Sequence, residues 1–350
     1  ETETGAANPK ARTLETPEKE IGEMMRRVIS HEVGHALGLP HNMKASSAYP
    51  VDSLRSGNFT QKMGVAASIM DYARYNYVAQ PGDKNIRFVR KLGPYDKYSI
   101  EWGYRFFSDM NENEIADKLD KWVGNKNLSP IYMFGSYGND PNSQTENIGD
   151  DPVKASNYGL KNLKYVSKNI EDWTTKDGAS YEDLNELYGE LISVYRRYIY
   201  HVISLIGGVN ETLMNKGQEA IPYKTVSEND QLIALEFLNK NLWSSPTWLY
   251  EKKVISKIKN DGVLPLISNL QKSAFNRILS VKKLNDMIST ENTLEGSGLS
   301  VFKLIEYLTD NLSKDIKNPD ILQRELQKNI INHFKSLIKD EKLSNEVKGY

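Results

Sequence analysis

Three of the five histidines fall within eleven residues, in the run His31-Glu32-Val33-Gly34-His35-Ala36-Leu37-Gly38-Leu39-Pro40-His41. His31 and His35 are four apart, so on an α-helix both imidazoles leave one face, one turn apart. Two ring nitrogens so placed can approach a single zinc ion at about 2.0–2.1 Å. A straight helix cannot bring position 41 to the same point. Gly38 supplies a natural left-handed helix end, and Pro40 forbids an immediate return to helix, so the chain can bend back and deliver His41. The fourth coordination position then stays open for water. At five His in 350 residues, this spacing arises by chance in roughly one chain in a thousand. A plain helix carrying ordinary surface or core histidines would have no reason to break at Gly38.

Glu32 stands beside His31 and can reach the open side of such a metal without ligating it. There a carboxylate would take a proton from the zinc-bound water, whose pKa zinc can bring near ~7, and carry it to the leaving amine of a peptide bond. A second reading is a non-catalytic binding or scaffold protein with a structural zinc site. Glu32 argues against it, because a closed structural site has no need of a base beside an open metal position.

Composition removes other classes. There is no Cys, hence no disulfide framework, thiolate metal site or thiol nucleophile. Lys and Arg number 45 against 46 Asp and Glu, so no global basic footprint points to nucleic acid. No stretch approaches the ~18 uncharged apolar residues of a membrane span, and no Gly-rich phosphate loop follows a strand. The chain begins with Glu1, and its first fifteen residues are polar and without period, with no signal-peptide pattern. We therefore expect a fragment or processed part of a longer protein.

Along the chain, Thr16-Pro17-Glu18 predicts a helix start with Thr16 as cap, and Ile21, Met24, Met25, Val28 and Ile29 follow at helical spacing. Residues 43–66 read as loop. Residues 74–105 hold seven bases and three acids, which reads as a solvated face, with attraction of substrate as the lesser alternative. Residues 124–178 read as irregular. The acidic run Asp140–Asp151 fails the calcium-loop template because Thr145 stands where Gly is required, and reads as structural turns. From Ser180 apolar stripes recur at helical spacing: Leu184, Leu187, Leu191, Tyr195, Tyr198, Val202 and Leu205; then Leu299, Phe302, Ile305, Leu308 and Leu312; then Leu322, Leu326, Ile330, Phe334 and Leu337. His201 and His333, each alone on a predicted helix, read as structural.

The histidine run matches H-E-x-x-H-x-x-G-x-x-H and resembles the zinc signature of the metzincin metallopeptidases. Ser68-Ile69-Met70-Asp71-Tyr72, with Met70 29 residues after His41, resembles their Met-turn, whose Met forms an apolar floor beneath the zinc histidines. By that resemblance Tyr72 is an additional zinc ligand that swings away to stabilise the oxyanion; the plainer reading is an aromatic packed at the turn. The flanks VISHEVGHALGLPHNM, SIMDYARYNYVAQPGD and GPYDKYSIEWGY look most like a bacterial family of large Met-zincin metalloproteases, whose zinc domain is followed by a helical region. Asn42 departs from the residue after the third His in better-known branches. The resemblance implies a zinc-dependent endopeptidase, peptide or protein substrates, an extracytoplasmic location and a primed-side pocket lined by Ala73, Arg74, Tyr75 and Asn76. It also implies a sheet before the zinc helix, for which 30 residues are too few.

The expected fold is therefore mainly α. Residues 1–16 are expected as a disordered tail, 17–108 as the metzincin zinc-site subdomain with its Met-turn, 109–178 as an irregular connection and 179–350 as a helical domain. The N-terminal remainder of the protein is the expected partner, and the fragment alone is expected to bind zinc yet cleave poorly.

Overall fold

The computed structural model describes residues 2–136, 138, 140–258, 262–294, 298–312 and 317–350. Helices α1 (Glu18–Ala36), α2 (Gly57–Met63), α3 (Pro94–Tyr104), α4 (Glu112–Gly124), α5 (Pro152–Thr174) and α6 (Glu182–Ile203) come first. A two-stranded pair follows, β1 (Val209–Glu211) with β2 (Tyr223–Thr225), and then α7 (Glu228–Leu238), α8 (Lys252–Ile255), α9 (Val263–Ile278) and α10 (Val281–Thr293). The order ends with α11 (Val301–Leu312), α12 (Ile321–Lys339) and α13 (Asn345–Gly349). The fold is mainly α, as the periodicities predict. None of the described helices is long and apolar enough to cross a membrane. The chain divides into two compact units, residues 1–166 with 210–223, and residues 167–209 with 224–350.

The first unit places part of its core in the stretch that reads as loop and part in the segment that follows it. Met43, Leu54, Val65, Ala66, Ala67, Ile69, Met70, Val78 and Ala79 are all buried. Irregular backbone can be buried only if its polar groups find partners, and here amide side chains supply them. Asn76 Nδ2 donates to the Leu54 carbonyl at 2.7 Å, and Asn162 Nδ2 donates to those of Tyr77 and Ala79, both at 2.8 Å. Asn42 donates to Met133 and accepts from the Gly135 amide, each at 3.0 Å. A loop-like composition thus builds an ordered core because Asn substitutes for missing ladder bonds.

Several expectations change. The opening residues, expected as a disordered tail, form short 3-10 turns at Thr2–Thr4 and Pro9–Ala11, with Glu3 buried against Arg74 at 2.6 Å. The stretch expected to be irregular contains α4 and the 23-residue α5. Asp151 accepts from the Lys154 amide at 2.9 Å with Pro152 as first helical residue, so part of the acidic run is a helix start. Val153, Leu160, Leu163, Val166 and Ile170 then bury one face that the intervening Asn, Ser and Gly obscure. Thr16 does not cap α1: Pro17 holds the cap position and makes no side-chain cap bond.

In the second unit the α6 stripe is buried as predicted, from Leu184 through Val202. Its tyrosines reach partners by their hydroxyls, Tyr188 donating to the Leu249 carbonyl and Tyr195 to that of Asn241, both at 2.7 Å. On α11 the buried face is Val301, Leu304, Leu308 and Leu312, while Phe302 is exposed against the Tyr350 ring. Spacing by fours from Leu304 sets that face and rotates Phe302 away from it.

Candidate metal centre

The metal-binding constellation forms where α1 stops. The His31 Nδ1–H donates to the Ile69 carbonyl at 2.9 Å, and that of His35 donates to the Leu39 carbonyl at 2.9 Å. A carbonyl only accepts, so each ring carries a proton on Nδ1, and a ring in its neutral form then presents a bare Nε2. Gly38 adopts φ +82°, the left-handed helix end that the sequence predicts, and the Leu39 amide closes back on the Gly34 carbonyl at 3.0 Å. The turned chain brings His41 Nε2 to 3.0 Å from His35 Nε2, and ligand nitrogens of His31, His35 and His41 all lie within 4.8 Å of one another. Three converging imidazole nitrogens, His31 buried and His35 exposed, fit a zinc ion with an open side. Burial lowers the His31 and His41 pKa values from the ordinary 6.5, with the mutual charge of the neighbouring rings adding to it; both are therefore neutral, as ligands must be, at pH 7.

Met70 lies under this helix turn, wholly buried. A Cβ on Gly34 would stand 2.3 Å from its sulfur, so any larger residue there would force the buried Met70 side chain to shift. The Met70 carbonyl accepts from the Asn42 amide at 3.2 Å, which ties the turn to the residue after His41. The Tyr72 ring stacks on His31 at 5.5 Å and lies 4.4 Å from His41, centroid to centroid. Glu32 is exposed on α1, close enough for its charge to act on both His31 and His41.

Other residues of the centre were not legible from spacing. Asp96 accepts from Ser68 Oγ at 2.5 Å, the Ile69 amide at 2.8 Å and the Gly93 amide at 2.7 Å, bracing the turn beneath the histidines. Gly93 is fixed by contact, since a Cβ there would stand 1.9 Å from the Ala67 carbonyl oxygen. Their signal was local: Gly93-Pro94 with Asp96 three residues on is a helix-start pattern. Asp71 accepts from the Ser46 amide at 2.6 Å, and burial pushes its pKa up to about 8 against the opposing charge of Arg90. The basic stretch 74–105 is not uniformly a solvated face. Arg90 is 8% exposed, and burial pulls its pKa down to about 10, which leaves it charged at neutral pH.

The remaining candidates fall elsewhere. His201 is buried on α6 and His333 meets the Leu279 carbonyl at 3.0 Å, and both belong to the second unit. In the acidic run, Asp140 pairs with buried Lys44 at 2.7 Å and Glu146 with Arg74 at 3.0 Å, so these carboxylates serve the fold.

No curated protein and no solved structure matches this chain. A family model described as Met-zincin matches residues 13–320, which takes in the histidine run, the Met70 turn and most of the helical second unit. The chain belongs to the Met-zincin family.

Proposed function

We propose that the chain is the zinc-binding half of an endopeptidase, with His31, His35 and His41 as ligands, Met70 as floor and Glu32 as general base. The observation that carries this reading is the pair of Nδ1–H bonds to Ile69 and Leu39, which commits His31 and His35 to presenting Nε2 toward His41. Zinc, when bound, supplies a Lewis acid that polarises the scissile carbonyl and acidifies water. Glu32 takes a proton from the attacking water and delivers it to the departing amine. In this reading Tyr72, whose ring lies beside those of His31 and His41, donates its phenol hydrogen to the developing oxyanion. A Glu32→Ala variant of the complete protein is expected to keep its zinc and lose proteolysis. Unchanged proteolysis would remove the role of Glu32 and favour the scaffold reading.

The same proposal includes the N-terminal remainder of the protein, outside the cytoplasm as the family resemblance implies. Ile21, Met25, Val28 and Ile29 form an apolar row on α1 and are 44–58% exposed, on the helix that carries the ligands. Contiguous exposed apolar surface marks a docking face. We assign the remainder as its cover, so this chain alone binds zinc and cleaves poorly. Equal turnover by this chain and a longer form would contradict that assignment.

A further inference from the structure

A cavity of about 520 Å³ opens beside the histidines, walled by Arg27, Tyr72, Arg74, Tyr75, Arg90 and Glu146. It adjoins the metal centre directly. Tyr72 is shared between them, and the Ile69 carbonyl that accepts from His31 Nδ1 also accepts from Arg90 Nη1 at 3.4 Å.

The charges of this cavity do not cancel. Arg74 is neutralised by Glu3 at 2.6 Å and Glu146 at 3.0 Å. Arg90 and Arg27 have no carboxylate within ion-pair distance among the described residues. Arg90 is more than nine-tenths buried, its Nε has no hydrogen-bond partner, and its one bond to Ile69 is long. Asp71 is the carboxyl whose charge acts on it, but the two form no ion pair, and Asp71 Oδ2 accepts from the Ser46 amide instead. Arg27 lies over the Tyr75 ring, Cζ 5.6 Å from its centroid. A smaller cavity shares Arg27 and Arg90, but there Glu23 is already bonded to Arg87 and Arg26.

A guanidinium buried without its hydrogen bonds is costly, and a fold retains one at small cost only if something else completes it. The planar fork of Arg fits a carboxylate bidentately, and a flanking Tyr offers a flat wall to such a group. We propose that this cavity is a subsite for a carboxylate of the peptide substrate, received by Arg90 and Arg27; the proposal rests on the peptidase reading above. That carboxylate belongs either to an Asp or Glu side chain next to the scissile bond or to the free C-terminus of a short peptide. Attraction of substrate by the 74–105 stretch, the lesser reading of its charge, thereby narrows to one residue of that stretch and one of α1.

The test separates the subsite from the chemistry. Fluorescein-labelled peptides differing only as Asp against Asn, each with a free or an amidated C-terminus, are titrated into the zinc-loaded Glu32→Gln form of the complete protein, and the same peptides are digested by the wild type. The expected result is at least about tenfold tighter binding of a carboxylate-bearing peptide over its amide counterpart, a preference lost in Arg90→Gln and in Arg27→Gln. Preference tracking Asp identifies the side chain; preference tracking the free terminus identifies the chain end. Arg27, on the helix surface, keeps the test open should Arg90→Gln fail to fold. Equal binding of all four peptides, no binding, or a preference that survives Arg27→Gln and Arg90→Gln would overturn the subsite. Any of those with Glu32-dependent digestion intact leaves the peptidase reading standing, whereas charge preference without digestion removes the peptidase reading alone.

Discussion

The sulfur of Met70 occupies the space where residue 34 would carry a Cβ, 2.3 Å from its ideal position. Gly34 is therefore packed directly against Met70 inside the helix that carries His31 and His35. Glycine in a helix interior ordinarily costs about 1 kcal/mol relative to alanine, so Gly34→Ala should stabilise on propensity alone. The overlap with Met70 reverses the sign. We expect a loss of about 1–3 kcal/mol by denaturant unfolding, with weaker zinc binding as the floor is displaced. A more stable Gly34→Ala protein with unchanged metal affinity would show that Met70 moves freely.

Asp96 holds the Met70 turn through three donors, Ser68 Oγ and the amides of Ile69 and Gly93. Asp96→Asn replaces one accepting oxygen with an amide that faces a donor. The expected cost is about 1–3 kcal/mol, read as a lower unfolding midpoint, with the helical second unit's far-UV signal intact. A neutral outcome would mean the turn is held by packing alone.

Lys44 and Asp140 form an ion pair 2.7 Å apart, with side chains 7% and 5% exposed. Asp140→Ala would leave a buried ammonium without its carboxylate, and we expect about 3–5 kcal/mol of destabilisation. Lys44→Met with Asp140→Ala should cost markedly less than the single change. If the double variant is as unstable as the single, the charge is not the cause.

Burial lowers the pKa values of His31 and His41 from 6.5, so below that value the unfolded chain takes up protons that the metal-free folded chain refuses. Stability of the metal-free protein should therefore be full above pH 6.5 and fall as pH drops through the lowered folded values. Protons then also compete with zinc for the same nitrogens. Melting curves between pH 5 and 8 check this, and a His31→Ala, His41→Ala protein should show a flatter dependence.

Much of the site was legible because its chemistry is local. The offsets among His31, His35 and His41, the break at Gly38 and the string around Met70 are all short-range features, and the structure places these residues together. The stripes of α6 and α12 were equally plain, since periodicity survives without knowledge of partners. The opaque parts depend on contacts between distant segments. Residues 43–66 read as loop because nothing local shows that Asn76 serves the Leu54 carbonyl. Arg90 read as one base among seven because burial is a property of the fold, and Gly34 was simply an unspecified position of the histidine motif until Met70 was seen beneath it.

The proposed metal centre requires that three histidines of this chain hold one zinc ion. Zinc content of the purified chain, measured beside His41→Ala, tests it most directly. About one zinc per chain is expected in the wild type, and that zinc should be lost in the variant. A wild-type chain without zinc, in a longer form of the protein that is metal-free as well, would contradict it.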